Sequence, residues 1–385
     1  MIGNFIHVKE DGSVVNILEG DTIERRYTWV KYNNTSPVAF DRYGNMYFRV
    51  DSHDNHLNPH NKVTHSIYKY NPATGKKEQL VPADPNISYG KIVVSSDGSY
   101  LIVDGDRYRS NGDLDVSFVR IIPTANPQNM VEQITVRWDE GDGSGGQTGE
   151  TFWWLAYAFG RRNELYVSGG KIFDDENKNG FYKVTFEGLS PDEWQWEKLF
   201  DAQENGYAFA SIVILFVAPD NSIWGNDGSI ARIINSNGQP DFYQSYQSYQ
   251  SSNVLQADIS GPFKSSASHL YFNTDDLDTK YGIFNVRGDI YRVSYNNPTG
   301  AQNVLSGITT RTNNILVFNY DISGDYLYFC AVENPQLLDD GLTPDMSNYD
   351  SDKIRGDYFS GRINLTTLEY TELEFSWNIT ALVAY

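Results

Sequence analysis

The chain has 385 residues and carries 50 Asp and Glu against 30 Lys and Arg, a formal charge of −20. A surface this acidic repels phosphate backbones and anionic lipid, which excludes nucleic acid as a partner and leaves cations, neutral sugars and basic protein patches. Aromatic residues make up 14% of the chain and no long segment has helical periodicity, so the composition points to an all-β protein.

In chain order, GNFIHVKEDGSVVNIL (Gly3 to Leu18) opens like the inside of a strand, without the charged and apolar regions of a signal peptide. An extracytoplasmic location then presumes an export segment absent from this chain. From Ser36 onward, one pattern recurs every 45–60 residues. An apolar run meets a short Asp/Gly/Asn/Ser turn, and a run rich in Tyr, Val, Ile and Phe follows. It reads SPVAFDRYGNMYFRV (Ser36 to Val50), KIVVSSDGSYLIVD (Lys91 to Asp104), WLAYAFGRRNELYVSGG (Trp154 to Gly170), VILFVAPDNSIWGND (Val213 to Asp227), GPFKSSASHLYFN (Gly261 to Asn273) and ILVFNYDISGDYLYFC (Ile315 to Cys330). Each is a tight β-hairpin signal. A second hairpin follows in most units, with NPATG turning Ser66 to Val81 and NNPTG turning Gly288 to Ser306. Two hairpins make a four-stranded antiparallel unit, over 36–82, 88–138, 150–200, 208–250, 256–306 and 312–374.

The chain thus resembles the seven-bladed β-propellers over its whole length. The C-terminal SWNITALVAY resembles a first strand, and GNFIHV matches GNMYFRV of the first unit, so 375–385 plus 1–33 would close a seventh blade within a single domain. WD dipeptides, kelch di-glycines, complete Asp boxes and quinoprotein Trp patterns do not repeat, so no family within the propellers is assigned.

On this reading the long connections between second and third strands carry the chemistry. DSHDNHLNPHNKVTH (Asp51 to His65) holds His53, His56, His60 and His65 beside Asp51 and Asp54, donors suited to a transition metal, or else a solvated polar loop. KIFDDENKNGF sets Asp175, Asn177 and Asn179 at alternating positions before Gly180, the first half of a calcium loop. An EF-hand would need Glu where Phe186 stands, so the alternatives are a propeller-type calcium loop or an Asx turn. Asp104 and Asp106, Asp275 and Asp278, and the run Asp339 to Asp352 make that face acidic, with the aspartates as candidate ligand-binding residues. Trp194 and Trp196 alternate in EWQWEK, which predicts exposure and stacking on sugar rings. The two RGD triplets, at Arg287 and Arg355, occupy equivalent places before a third strand and read as turn chemistry. The single cysteine, Cys330, excludes an intrachain disulfide and reads as a small buried hydrophobe.

No nucleophile elbow, phosphate loop or HExxH occurs. The leading expectation is a non-enzymatic, extracytoplasmic module that binds a protein or carbohydrate ligand, with calcium stiffening a loop. The alternative is a metal-assisted hydrolase or lyase acting on carbohydrate or peptide at the central channel, with the histidine loop as ligands.

Overall fold

The computed structural model describes residues 6–8, 14–16, 38–52, 64–138, 152–160, 163–171, 180–188, 190, 193–201, 214–226, 230–239, 259–276, 286–308, 315–337 and 354–373. The expected metal loops fall outside these residues. The chain divides into two compact units, Met1–Leu215 and Phe216–Tyr385.

The first unit holds a short hairpin, β1 (Ile6–Val8) with β2 (Val14–Asn16), and three four-stranded antiparallel sheets. The first sheet is β3 (Val38–Phe40), β4 (Met46–Ser52), β5 (Thr64–Asn71) and β6 (Lys76–Val81). The second is β7 (Ile87–Val94), β8 (Tyr100–Tyr108), β9 (Leu114–Pro123) and β10 (Val131–Arg137). The third is β11 (Phe152–Phe159), β12 (Leu165–Lys171), β13 (Gly180–Thr185) and β14 (Gln195–Asp201). The boundary between units falls in β15 (Ile214–Val217), which opens a three-stranded sheet with β16 (Ile223–Asn226) and β17 (Ile230–Ile234). The second unit then holds two four-stranded sheets. One is β18 (Ile259–Ser265), β19 (His269–Asp276), β20 (Val286–Ser294) and β21 (Asn297–Asn303), and the other is β22 (Ile315–Ser323), β23 (Tyr326–Leu337), β24 (Ile354–Asn364) and β25 (Tyr370–Leu373).

Every sheet keeps its strands in chain order, the up-and-down meander of a propeller blade. The fold is all-β and β-propeller-like, and no α-helix occurs among the described residues. Among the described residues five complete blades stand where seven were expected. The fourth unit has three strands among the described residues, β1–β2 is a two-stranded sheet of its own, and 375–385, expected to complete a seventh blade, lies outside the described residues.

Burial on both faces explains the near-continuous apolar strands. In β8, Leu101 and Val103 join the core with Tyr47, Ile67 and Leu80 of the first sheet, while Ile102 joins Tyr157, Leu165 and Val167 of the third. Successive side chains point to opposite faces, so one strand serves two cores. In the second unit Tyr271 and Ile290 pack with Val317, Leu327 and Phe329 in the same way. The first-to-second strand turns are set by short polar residues. Asp41 Oδ1 accepts from the N–H groups of Tyr43 (2.9 Å) and Asn45 (3.0 Å), and Gly44 sits at φ +76°, where a Cβ would be strained.

Two corrections concern local register. Ser294 pairs with Asn297, so the hairpin turns at Tyr295–Asn296, before the Pro-Thr-Gly of NNPTG rather than through it. Pro298 then lies in β21, an edge strand, where proline is tolerated. Asp104 and Asp106 lie within β8 and Asp275 within β19, so these three are strand residues rather than loop residues.

Candidate functional site

The polar centre of the first unit is built on a β-bulge. Tyr89 pairs with Gly105 and Ile92 with Val103, so Gly90 and Lys91 of β7 together oppose Asp104 of β8. The bulge takes backbone groups out of the ladder, and side chains from two sheets meet them. Asp104 Oδ1 accepts the Lys91 N–H at 2.6 Å. His65 Nδ1, on β5, accepts the Tyr89 N–H at 2.7 Å. Arg49 Nη1, on β4, donates to the Tyr89 carbonyl at 2.6 Å and to the Gly90 carbonyl at 3.3 Å. A Cβ at position 90 would collide with the Asp104 carboxylate and displace it, so glycine favours this arrangement.

The bulge turns Lys91 toward β11. Its ammonium meets the Tyr157 carbonyl at a long 3.4 Å and lies 4.8 Å from the centroid of the Tyr157 ring. The Tyr157 side chain is buried, with its hydroxyl beside the Asp104 carboxyl. Lys91 and Asp104 are both half-buried. Burial acts on all three. It holds the Lys91 amine below its ordinary value, with Asp104 opposing. It lifts the Asp104 carboxyl above its own despite the Lys91 N–H and charge. It also lifts the Tyr157 phenol, helped by the Asp104 charge. The set offers ammonium N–H donors, a carboxylate acceptor and a hydroxyl that can do both.

Asp106 extends this strand outward. It accepts from Ser117 Oγ at 2.6 Å, which in turn accepts from Trp138 Nε1 at 3.2 Å. Nearby, Glu132 takes Arg107 (3.0 Å) and Arg120 (2.8 Å), and Asp115 takes Arg107 (3.5 Å) and Arg109 (3.4 Å). These cross-strand pairs tie β8, β9 and β10 together, and Arg120 also reaches the Tyr89 hydroxyl on β7.

Of the residues singled out in the sequence, Asp104 and His65 enter this centre. Asp275 pairs in register with Arg287 on β20. Asp278, His53, His56, His60, Asp175, Asn177 and Asn179 lie outside the described residues, and among the described residues no group of three His, Cys, Asp or Glu converges as a metal site. The exposure expected of Trp194 is overturned, and that of Trp196 is partial. Trp194 is 6% exposed, Trp196 is half-buried, and both pack on Trp154 with ring centroids 6.1 and 5.7 Å away, so their apolar area is spent in the core. His65 likewise serves the bulge as an acceptor. Lys91, Tyr157 and Arg49 were not anticipated. The one local signal was Gly90 interrupting an apolar strand run, a mark of a bulge.

No protein-family model matches the chain, and no curated protein matches it. Among solved structures, it is similar to the GH74 enzyme of Niastella koreensis (12% identity, TM-score 0.45, 89% of this chain and 45% of that one). It is similar to prolyl oligopeptidase B of Galerina marginata (9% identity, TM-score 0.44, 90% of this chain and 51% of that one) and to the RRP9 WD40 repeats (11% identity, TM-score 0.43, 93% of this chain and 86% of that one). The chain spans about half the length of the two enzymes. At these levels of similarity, neither a family nor an activity is assigned.

Proposed function

We propose that this chain is a non-enzymatic, extracytoplasmic binding module of propeller type. It recognises a protein or carbohydrate partner through the second-to-third strand connections of its sheets, and calcium on Asp175, Asn177 and Asn179 stiffens one of them. The observation that carries this reading is how the strand ladders bracket those connections. Pairing continues to Ser52 with Thr64, Gly169 with Gly180, Asp276 with Val286 and Leu337 with Ile354. Both ends of each His- or Asp-rich segment are therefore pinned by hydrogen-bonded strands, at the same end of their own sheet. Pinned ends lower the ordering cost of a binding loop, and the charge of −20 favours cations there.

The test is calcium linkage with a binding readout. Melting is followed with millimolar calcium and with chelator, in the wild type and in Asp175→Ala. A site held at 100 times its Kd would contribute about 2.7 kcal/mol, lost in the variant. Partner capture by a glycan panel and by basic peptides should fall when Asp339 and Asp340 are changed to Asn. Absence of any calcium shift, or stoichiometric zinc, nickel or iron lost on changing His56 and His60, would overturn the reading.

A further inference from the structure

We propose that Arg362 anchors the stretch that follows β25, residues 374–385, by donating to one of its backbone carbonyls and holding it against the Tyr326–Tyr328 side of the β22–β25 sheet. One position recurs through the second unit. Arg232, Arg292 and Arg362 each stand two residues before the end of the third strand of their sheet, β17, β20 and β24. Two of them reach the next sheet. Arg232 Nη1 donates to the Tyr295 carbonyl at 3.0 Å, and Arg292 Nη1 donates to the Leu365 carbonyl at 2.5 Å. Tyr295 and Leu365 are equivalent in turn, each the first residue after a third strand. The N–H of each is held within its own sheet, by the Ser268 carbonyl at 3.2 Å and the Asp325 carbonyl at 2.8 Å, so the carbonyl is what each offers to a neighbour. Arg362 has no such acceptor. Its Nε is buried without a hydrogen-bond partner, and its guanidinium carbon lies 4.7 Å from the centroid of the Tyr326 ring. Leu327, Phe329, Phe359 and Ile363 pack on the preceding sheet. Arg362 alternates with them, so it lies on the opposite side, across from Tyr328 and beside the buried Cys330 and Ser360. A buried donor left unmet is costly, and at this position the acceptor is twice a backbone carbonyl. Residues 374–385 can supply one. The chain leaves β25 at Leu373, which pairs with Ser360, so the stretch starts beside β24 and close to Arg362. Extended, it would span on the order of 40 Å, more than enough to cross the sheet. Phe375, Trp377 and Ile379 alternate in it, which gives an extended segment one apolar side to set on Tyr326 and Tyr328.

This anchor is independent of the loop connections proposed above, and its variants leave Asp175, Asp339 and Asp340 untouched, so either proposal fails without the other. The experiment is limited chymotrypsin digestion of the full chain, with mass spectrometry following cleavage after Phe375 and Trp377. In the wild type that cleavage is expected to run about tenfold or more slower than in a free peptide of the same sequence, because only the undocked segment is cut. Arg362→Met should raise the rate about tenfold, the worth of one hydrogen bond. Arg362→Lys keeps the charge and loses the planar fork, and should fall between the two. Arg232→Met, which frees the Tyr295 turn, should leave the rate unchanged. Wild-type cleavage as fast as that of the free peptide would overturn the proposal, and this comparison needs no variant to fold. Equal rates in the wild type and Arg362→Met would overturn it as well. So would a dimer in sedimentation that Arg362→Met dissolves, since the carbonyl would then come from a second copy.

Discussion

The same structural problem is solved differently in the two units. In each, the first strands of successive sheets approach one another, β7 with β11 and β18 with β22, and a bulged strand presents a lysine to that approach. In the second unit Lys264 closes on Asp321 at 3.0 Å, and the pair is complete. In the first unit the carboxylate that would neutralise Lys91 is occupied with Lys91's own backbone N–H, and the ammonium is left against a carbonyl and a ring. A closed pair holds sheets together and has little capacity left for a ligand. An open set holds them less well and keeps hydrogen-bonding capacity in reserve.

The largest test of this contrast removes each carboxylate. Asp104→Ala strands a backbone N–H and leaves a surrounded ammonium without its nearest negative charge, which should cost about 3–5 kcal/mol by urea denaturation. Asp321→Ala leaves Lys264, whose side chain is 25% exposed, able to turn to water, and should cost about 1 kcal/mol. Equal losses would end the distinction. Next comes Gly90→Ala, which sets a methyl 2.2 Å from Asp104 Oδ1 and should cost roughly 1–3 kcal/mol by forcing the carboxylate off the Lys91 N–H. Gly75→Ala, in the β5–β6 turn with nothing within 4 Å, carries only the penalty of its φ of +67° and should cost about 1 kcal/mol. The order of those two losses sharpens the claim that the bulge is built around Asp104.

The pH dependence separates the lysines. Burial lowers the folded-state Lys91 value below its ordinary 10.5, so in that interval the unfolded chain binds more protons than the folded one. Stability from this group therefore rises with pH as 10.5 is approached from below. Lys91→Met should remove that part of the slope, and Lys264→Met should keep it. A slope unchanged in Lys91→Met would mean that the amine is as well solvated when folded as when unfolded.

These features differ in how far the sequence disclosed them. The first hairpins were legible because their turns need special residues close together. FDRYGNMYF carries its own Asp cap and left-handed Gly44, and the sheet it opens spans Val38–Val81 where the repeat placed 36–82. Pro298 misled, because a proline beside Thr-Gly suits a turn as well as it suits an edge strand. The bulge centre was legible only as an isolated glycine. Its partners come from Arg49 and His65 on another sheet and Tyr157 on a third, and no local spacing encodes contacts between strands so distant in the chain. Trp194 and Trp196 alternate as an exposed hairpin would, but Trp154 supplies a third ring that alternation cannot show.

A further effect, no larger than those of Asp321→Ala and Gly75→Ala, returns to the two units through one turn. Asp97 in SSDGS and Asp220 in APDNS occupy matching hairpins. Asp220 caps its own turn, accepting from Ser222 N–H at 2.9 Å and Ser222 Oγ at 2.5 Å. Asp97 caps Ser99 (2.9 Å) and Ser95 (2.9 Å) in the same manner, and also takes Asn163 Nδ2 at 2.7 Å from the β11–β12 hairpin of the next sheet. Desolvation pushes the Asp97 carboxyl upward, but the bonds from Ser99, Asn163 and Ser95 outweigh it and bring it down to about 2. A depressed carboxylate contributes stability above its ordinary 3.8 and loses it as pH falls toward 2. With solvent screening at this half-buried position, Asp97→Asn should cost about 1 kcal/mol at pH 7 and almost nothing near pH 2. Asn163→Ala should reproduce part of that loss with the same pH dependence. If Asp97→Asn costs as much at pH 2 as at pH 7, the charge of Asp97 is not what ties the two sheets, and the turn differs from that of Asp220 only in shape.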